Sequence, residues 1–197
     1  MKPNPSQAIK LLRSLKKEFG YQKIVGIDEV GRGAIAGPLV VAAVELTDFI
    51  PDIKDSKQII KHKREEIADL IHKSSSQISI GVVSADYIDN FGMSRALSLA
   101  YERALADIRA DLVLTDNYRL DTKHKHIKVV KGDDLFYATS AASIVAKVFR
   151  DQLMNVYHQM YPQYKWSNNS GYGTGEHFNS INRFGITLLH RKTFINK

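Results

Sequence analysis

The chain has 197 residues, 44% of them apolar, and no cysteine, which allows one domain with a full core and excludes disulfides and thiolate metal sites. Its formal net charge of +7 suits a protein that meets polyanions, of which nucleic acid is the usual one. No apolar run is long enough to span a bilayer, and the N-terminal stretch lacks the apolar core and cleavage site of a secretion signal, so a cytoplasmic location is expected.

The first element is an amphipathic helix within residues 1–20, with Ser6 as cap and Ile9, Leu12, Leu15 and Phe19 on one face. Lys23 to Asp28 predicts a strand. Pro38 to Leu46 is a continuous apolar run rich in β-branched residues, hence a buried strand, and the short Gly-rich link between the two favours an antiparallel hairpin. A Lys-rich polar segment follows, with helical spacing at Ile59, Ile60, Ile67, Leu70 and Ile71. Gln77 to Ser84 predicts a third strand, Met93 to Ile108 a helix, Asp111 to Asp116 a fourth strand, and His126 to Gly132 a short fifth. A long helix is expected over Tyr137 to Met160, with a small-residue stretch, ATSAASIVAKV, able to pack close to a sheet. A polar, Gly-rich stretch, a helix over Glu176 to Phe184 and a basic tail complete the chain. The plan is α/β: a mixed five-stranded sheet flanked by helices, with a small C-terminal helical segment.

Three of these strand ends carry acids. The first ends at Asp28-Glu29, the fourth at Asp116, and the fifth runs into Asp133 and Asp134. If strands one and four lie side by side and parallel, their C-terminal ends meet where open α/β sheets bind ligands. Carboxylates gathered at one point repel unless cations sit between them, and oxygen-only ligation favours Mg²⁺ or Mn²⁺. Two such ions about 3.5–4 Å apart are the usual arrangement for in-line phosphodiester cleavage. The bland alternative is that each acid caps a helix or decorates a loop. It is weakest for Asp28-Glu29, which directly continue an apolar strand.

The stretch GIDEVGRGAIAGPLVVAAV closely resembles the signature of bacterial ribonuclease HII. In the same order as in that family come Asp55 to Lys57, LTDN around Asp116, KGDDLFYATSAASIVAKVFRD, and the closing GYGTGEHFNSINRFGITLLHRKTF. The resemblance runs from Lys23 to Phe194 and leaves residues 1–20 as an N-terminal helical extension. It implies a ribonuclease H-like catalytic domain over 21–197, whose last part, from about 160, contacts substrate. It also implies a catalytic and metal-binding set of Asp28, Glu29, Asp116 and Asp133, holding two Mg²⁺ or Mn²⁺ ions when substrate is bound. Asp133 is chosen because it directly follows Lys-Gly. Asp134 stands where the family usually has a non-acidic residue, and Asn117 where glycine is common.

The implied activity is cleavage of the RNA strand of RNA/DNA hybrids, including single ribonucleotides embedded in duplex DNA, on the 5′ side of the ribonucleotide, leaving 3′-hydroxyl and 5′-phosphate ends. Telling RNA from DNA requires sensing the 2′-hydroxyl. Gly31, Arg32 and Gly33 adjoin the acidic pair and let backbone approach a ribose, and Tyr172 matches the tyrosine that packs on the ribose at the RNA–DNA junction. Lys57, Lys147, Arg191 and Lys192 are expected phosphate contacts. Ser143 is read as packing or a cap, and Asp151 as a structural ion-pair partner. The seven histidines show no zinc spacing and are expected at the surface or beside substrate. Two alternatives remain. One is a ribonuclease HIII-like nuclease, disfavoured by the short N-terminal extension and the Gly-Arg-Gly form. The other is a non-catalytic hybrid-binding protein, which needs a broken acidic set. A monomer without membrane attachment is expected.

Overall fold

The fold is built on one mixed sheet of five strands in the order β3-β2-β1-β4-β5. The strands are β1 (Ile24–Val30), β2 (Leu39–Leu46), β3 (Ser75–Val83), β4 (Leu112–Asp116) and β5 (His126–Val129). The computed structural model describes residues 14–47, 50, 53, 59–116, 126–129 and 136–195, without the side chains of 116, 126–129 and 136. β1 pairs antiparallel with β2, and β2 with β3, as the short connections dictate. β1 and β4 pair parallel, from Ile24↔Leu112 to Ile27↔Thr115, and β4 pairs parallel with β5.

β2 explains why its sequence is apolar throughout. Leu39, Val41 and Ala43 point to one face, with Val25, Ile27 and Val113; Val40, Ala42 and Val44 point to the other. Both faces are covered, so no polar alternation is possible. On one face lies α3 (Ala85–Leu105), through Ile88, Ala96, Leu97 and Ala100. On the other lie α2 (Lys61–Ser74) and α4 (Phe136–Met160), through Ile67, Ile71, Ala141, Ala142 and Ile144. The small residues of α4 allow a close approach to the sheet. A Cβ on Gly26 of β1 would lie 2.1 Å from the Ala138 carbonyl carbon, which leaves that position to glycine.

The expected elements are present, with three differences. The helix expected from Met93 begins at Ala85, because Ser84 caps it through the Tyr87 N–H and a non-helical Gly92 joins two helical stretches. Ile60 and Leu70, read as part of an apolar helix face, are exposed, and Ile59, Ile67 and Ile71 carry the burial. In the N-terminal helix α1, described over residues 14–19, Leu15 is buried against Ile24, Leu112, Leu114 and Ala138, but Phe19 is 65% exposed and stacks on Tyr21. Ser6, Ile9 and Leu12 lie outside the described residues.

The C-terminal part is a 3-10 turn (Pro162–Tyr164), α5 (Trp166–Asn169), α6 (Gly175–Phe184) and α7 (Lys192–Ile195). It has its own small core of Ala36, Met154, Tyr164 and Trp166. Ala36, from the link between β1 and β2, belongs to this core. The tail and the first hairpin are therefore packed as one unit.

Candidate active site

The parallel pairing of β1 with β4 decides where the acids go. The last paired residues are Ile27 and Thr115, so Asp28 and Asp116 follow side by side at the same end of the sheet. Strand alternation sends Glu29 to the α3 face, with Val25 and Ile27, and Asp28 to the opposite face, with Gly26 and Val30. Asp133 precedes α4 by three residues in sequence and lies, with Lys57, Asp134 and Asn117, outside the described residues. Asp28 and Glu29 are half-buried.

Glu29 is held on both oxygens. The buried Tyr101 hydroxyl, from α3, donates to its Oε2 at 2.5 Å, and Arg32 donates to its Oε1 at 3.1 Å. The Thr115 side chain also hydrogen-bonds Tyr101. Burial, and then the charges of Glu29 and Asp28, push the Tyr101 phenol far above its usual range, so it remains a donor to the carboxylate. Sequence reasoning missed Tyr101. Its signal is weak: one tyrosine on the buried face of an otherwise apolar helix.

The donor chemistry at this strand end fits a divalent cation. It offers hard carboxylate oxygens only, on adjacent residues of a rigid strand, in a protein of net positive charge. Among the described residues the acids do not by themselves make a three-ligand cluster, and the remaining members, Asp116 and Asp133, have side chains outside the description.

Beside the acids, residues 31–38 form a turn whose carbonyls face inward onto two buried guanidinium groups. Arg191 donates to the carbonyls of Gly31 (2.7 Å), Arg32 (3.1 Å) and Gly37 (3.1 and 2.9 Å). Arg150 donates to Ala36 (3.1 Å), Pro38 (2.9 Å) and Ser170 (2.8 Å). Gly31 has φ +93°, a conformation that side chains disfavour, and a Cβ there would lie 2.5 Å from Arg150 Nε. With the carbonyls satisfied inside, the exposed Arg32 and Gly33 form the outer surface of the turn, next to Glu29.

This geometry corrects the expectation for Arg191. It is fully buried, and its guanidinium serves the turn rather than an external phosphate. Burial, together with the charge of Arg150, lowers its pKa to about 9, so it is still a cation at neutral pH. The Lys147 ammonium is held by Asp151 at 2.5 Å, and burial, opposed by that partner, lowers its pKa. Asp151 also meets Arg64 at 3.6 Å and accepts from Ser170 at 3.0 Å, the structural ion-pair role expected of it. Lys192 is exposed, and its backbone N–H donates to Asp89. Tyr172 is half-buried, with Arg150 5.5 Å from its ring centre.

The histidine expectation also needs correction. His177 and His190 are fully buried rather than superficial. Trp166 Nε1–H donates to His177 Nε2 at 3.0 Å, and the Thr187 backbone N–H donates to His190 Nδ1 at 2.9 Å. His177 must then carry its proton on Nδ1, donated to the Tyr172 carbonyl at 2.9 Å, and His190 donates from Nε2 to His177 at 3.2 Å. Both rings are neutral in this arrangement. Burial lowers the pKa of His177, and burial with the neighbouring ring lowers that of His190 to about 4.

Known proteins agree with this architecture. The family model described as Ribonuclease HII matches residues 25–197. The chain is 40% identical over 181 residues to the Ribonuclease HII of Sulfurihydrogenibium sp. (strain YO3AOP1), covering 89% of this chain and 91% of that protein. It is 42% identical over 182 residues to the Ribonuclease HII of Syntrophus aciditrophicus (strain SB), covering 90% and 86%. The solved structure of the PCNA:RNase HII complex from Archaeoglobus fulgidus shares the fold, with TM-score 0.73 and 24% identity over 86% of this chain and 94% of that one. The chain belongs to the ribonuclease HII family.

Proposed function

We propose that the protein is a divalent-metal-dependent endoribonuclease that cuts the RNA strand of RNA/DNA hybrids and nicks DNA duplexes on the 5′ side of a single embedded ribonucleotide, leaving 3′-hydroxyl and 5′-phosphate ends. The observation that carries this reading is the β1–β4 pairing, which sets Asp28 and Asp116 at one sheet end, directly beside the Gly31–Gly33 turn. Asp28, Glu29, Asp116 and Asp133 would hold the ions, Mg²⁺ or Mn²⁺, which when bound would supply charge stabilisation and acidify water at the scissile phosphate.

The chain's own residues bind and select. Tyr101 fixes the Glu29 carboxylate, so the ligand is oriented before substrate arrives. The outer surface of the turn reads the ribose, and the Tyr172 ring packs on it, so the phosphate next to that ribose lies at the acids. Arg32, Lys57 and Lys192 neutralise flanking phosphates. The catalytic domain is residues 21–197, with residues 1–20 an extension and the part beyond about 160 the substrate-contacting segment. The protein acts as a cytoplasmic monomer.

The test is a DNA duplex containing one ribonucleotide, incubated with Mg²⁺, Mn²⁺ or EDTA. A nick 5′ of the ribonucleotide that needs the metal supports the reading. Cutting of a long hybrid alone would favour a ribonuclease HIII-like enzyme. Tight binding without any cutting would leave a binding protein.

A further inference from the structure

The turn and Tyr172 come from opposite ends of the chain, yet one side chain touches both. Arg150 sits on α4 with Ala146 and Met154 one helical turn to either side, and all three are fully buried. Its Nε and Nη2 bond the carbonyls of Pro38 and Ala36, in the turn. Its Nη1 bonds the carbonyl of Ser170, two residues before Tyr172, and its guanidinium lies against the Tyr172 ring. Nε also occupies the space that a Cβ on Gly31 would need.

The backbone repeats the same connection. The Ile35 and Ala36 N–H groups both donate to the Gly171 carbonyl, at 2.9 and 3.0 Å. Gly171 has φ +78°, and a Cβ there would lie 2.3 Å from the Ala36 oxygen. Among the described residues no carboxylate lies within ion-pair distance of Arg150. A buried cation that spends three N–H groups on neutral carbonyls is a costly way to stabilise a fold. A planar fork that fixes three carbonyls in one plane is an effective way to fix a geometry.

We propose that Arg150 is a specificity-determining positioning residue: it couples the Gly31–Gly33 turn to the Tyr172 ring, so the two surfaces that meet the ribose are held in one fixed relation. This rests on the reading that the turn and Tyr172 sense the ribose. Arg150 itself does not touch substrate. Its removal acts on discrimination, through Tyr172, and not on the phosphodiester chemistry at the acids. Lysine cannot replace it, because one point-like ammonium cannot reach the carbonyls of Pro38, Ala36 and Ser170 and also lie over the Tyr172 ring.

The experiment compares kcat/KM on a single-ribonucleotide duplex and on a long hybrid, for wild type, Arg150→Lys, Tyr172→Ala and the double variant. Arg150→Lys is expected to lower the ratio of the two values about tenfold, an amount typical of a lost charge-assisted contact. In the Tyr172→Ala background the same change is expected to move the ratio less than about twofold, since coupled residues are not additive. Equal losses on both substrates, or fully additive losses, would overturn the proposal.

Should Arg150→Lys fail to fold, Tyr172→Ala carries the test alone, because the ring is half-exposed. Coupling is reciprocal, so loss of the ring should loosen the turn, and the Ile35 and Ala36 amides should exchange hydrogen at least about threefold faster. Unchanged exchange would overturn the coupling. Failure of wild type to nick the single-ribonucleotide duplex would overturn the functional reading instead, so the two failures are distinct.

Discussion

The acidic end of β1 and the turn that follows it are adjacent in sequence but held by different means. Asp28 and Glu29 are placed by strand alternation and by parallel pairing with β4, both regular features of a covered sheet. The turn at 31–38 has no regular structure to hold it. Its carbonyls are fixed by Arg150 and Arg191, 112 to 160 residues away in the sequence. On the proposed reading, the chemistry sits on a rigid strand end and the part that reads the sugar rests on the last third of the chain. Changes at the strand end should alter rate without altering fold, and changes under the turn should alter stability and sugar discrimination.

Asp28→Asn gives the largest expected effect and tests the first half of that contrast. A ligand carboxylate is worth several kcal/mol of transition-state stabilisation, so cleavage should fall by about 10³-fold or more. Stability without metal should hold or rise, because one of several neighbouring like charges is gone. Hybrid cleavage and a melting curve on the same sample measure both. Near-normal turnover would remove Asp28 from the metal set. Gly31→Ala tests the second half. A positive φ costs about 1–3 kcal/mol, and forcing a methyl against Arg150 adds a similar amount. Urea denaturation should show a loss of roughly 2–5 kcal/mol. A loss under 1 kcal/mol would mean that the arginine does not pin the turn.

The same contrast decides what the sequence makes legible. The strands, their acids and the hairpin follow from periodicity and connection length, which are local. In the sequence Arg191 looks like any other tail cation, which leads to the expectation of an external phosphate contact. Nothing near it in sequence shows that it points back to Gly31. Arg150 did carry a local signal. Its spacing of four from both Ala146 and Met154 puts it on the buried face of α4. A cation on such a face must find partners inside. His177 and His190 gave no such signal, since their partners are a tryptophan and nearby backbone groups that no residue type marks in the sequence.

Those histidines give the next effect in size, one of pH. The folded-state pKa of His190 is about 4 against an ordinary 6.5. Above pH 6.5 the ring is neutral in both states and costs nothing. Between about 6.5 and 4 the unfolded chain takes up a proton that the folded one refuses, so stability falls as pH falls, by up to about 3 kcal/mol. His190→Gln should lower stability at pH 8 but flatten this acid slope. Unfolding curves at pH 8 and 5 measure it, and an unchanged slope would place the sensitivity elsewhere. The loss should appear in the C-terminal segment first, because a proton added to His190 Nδ1 faces the Thr187 N–H across 2.9 Å, and one added to His177 Nε2 faces the His190 donor across 3.2 Å.

Gly33→Ala is the smallest change for the fold and the sharpest for the comparison. Gly33 lies two residues from Gly31, within the same Gly-Arg-Gly motif, yet a Cβ there meets nothing within 4 Å and its φ is not positive. Folding stability should therefore stay within about 0.5 kcal/mol of wild type. The added methyl would stand on the outer surface of the turn, where the proposed ribose approach leaves no room for it. The expected result is a fall of about tenfold in kcat/KM on a single-ribonucleotide duplex, near 1.4 kcal/mol, carried mainly by KM. The two glycines would then be required for unlike reasons, one by an arginine inside the protein and the other by a sugar outside it. If Gly33→Ala cleaves normally, the ribose does not approach that side of the turn, and the reading of the turn as a sugar sensor would have to rest on Arg32 alone.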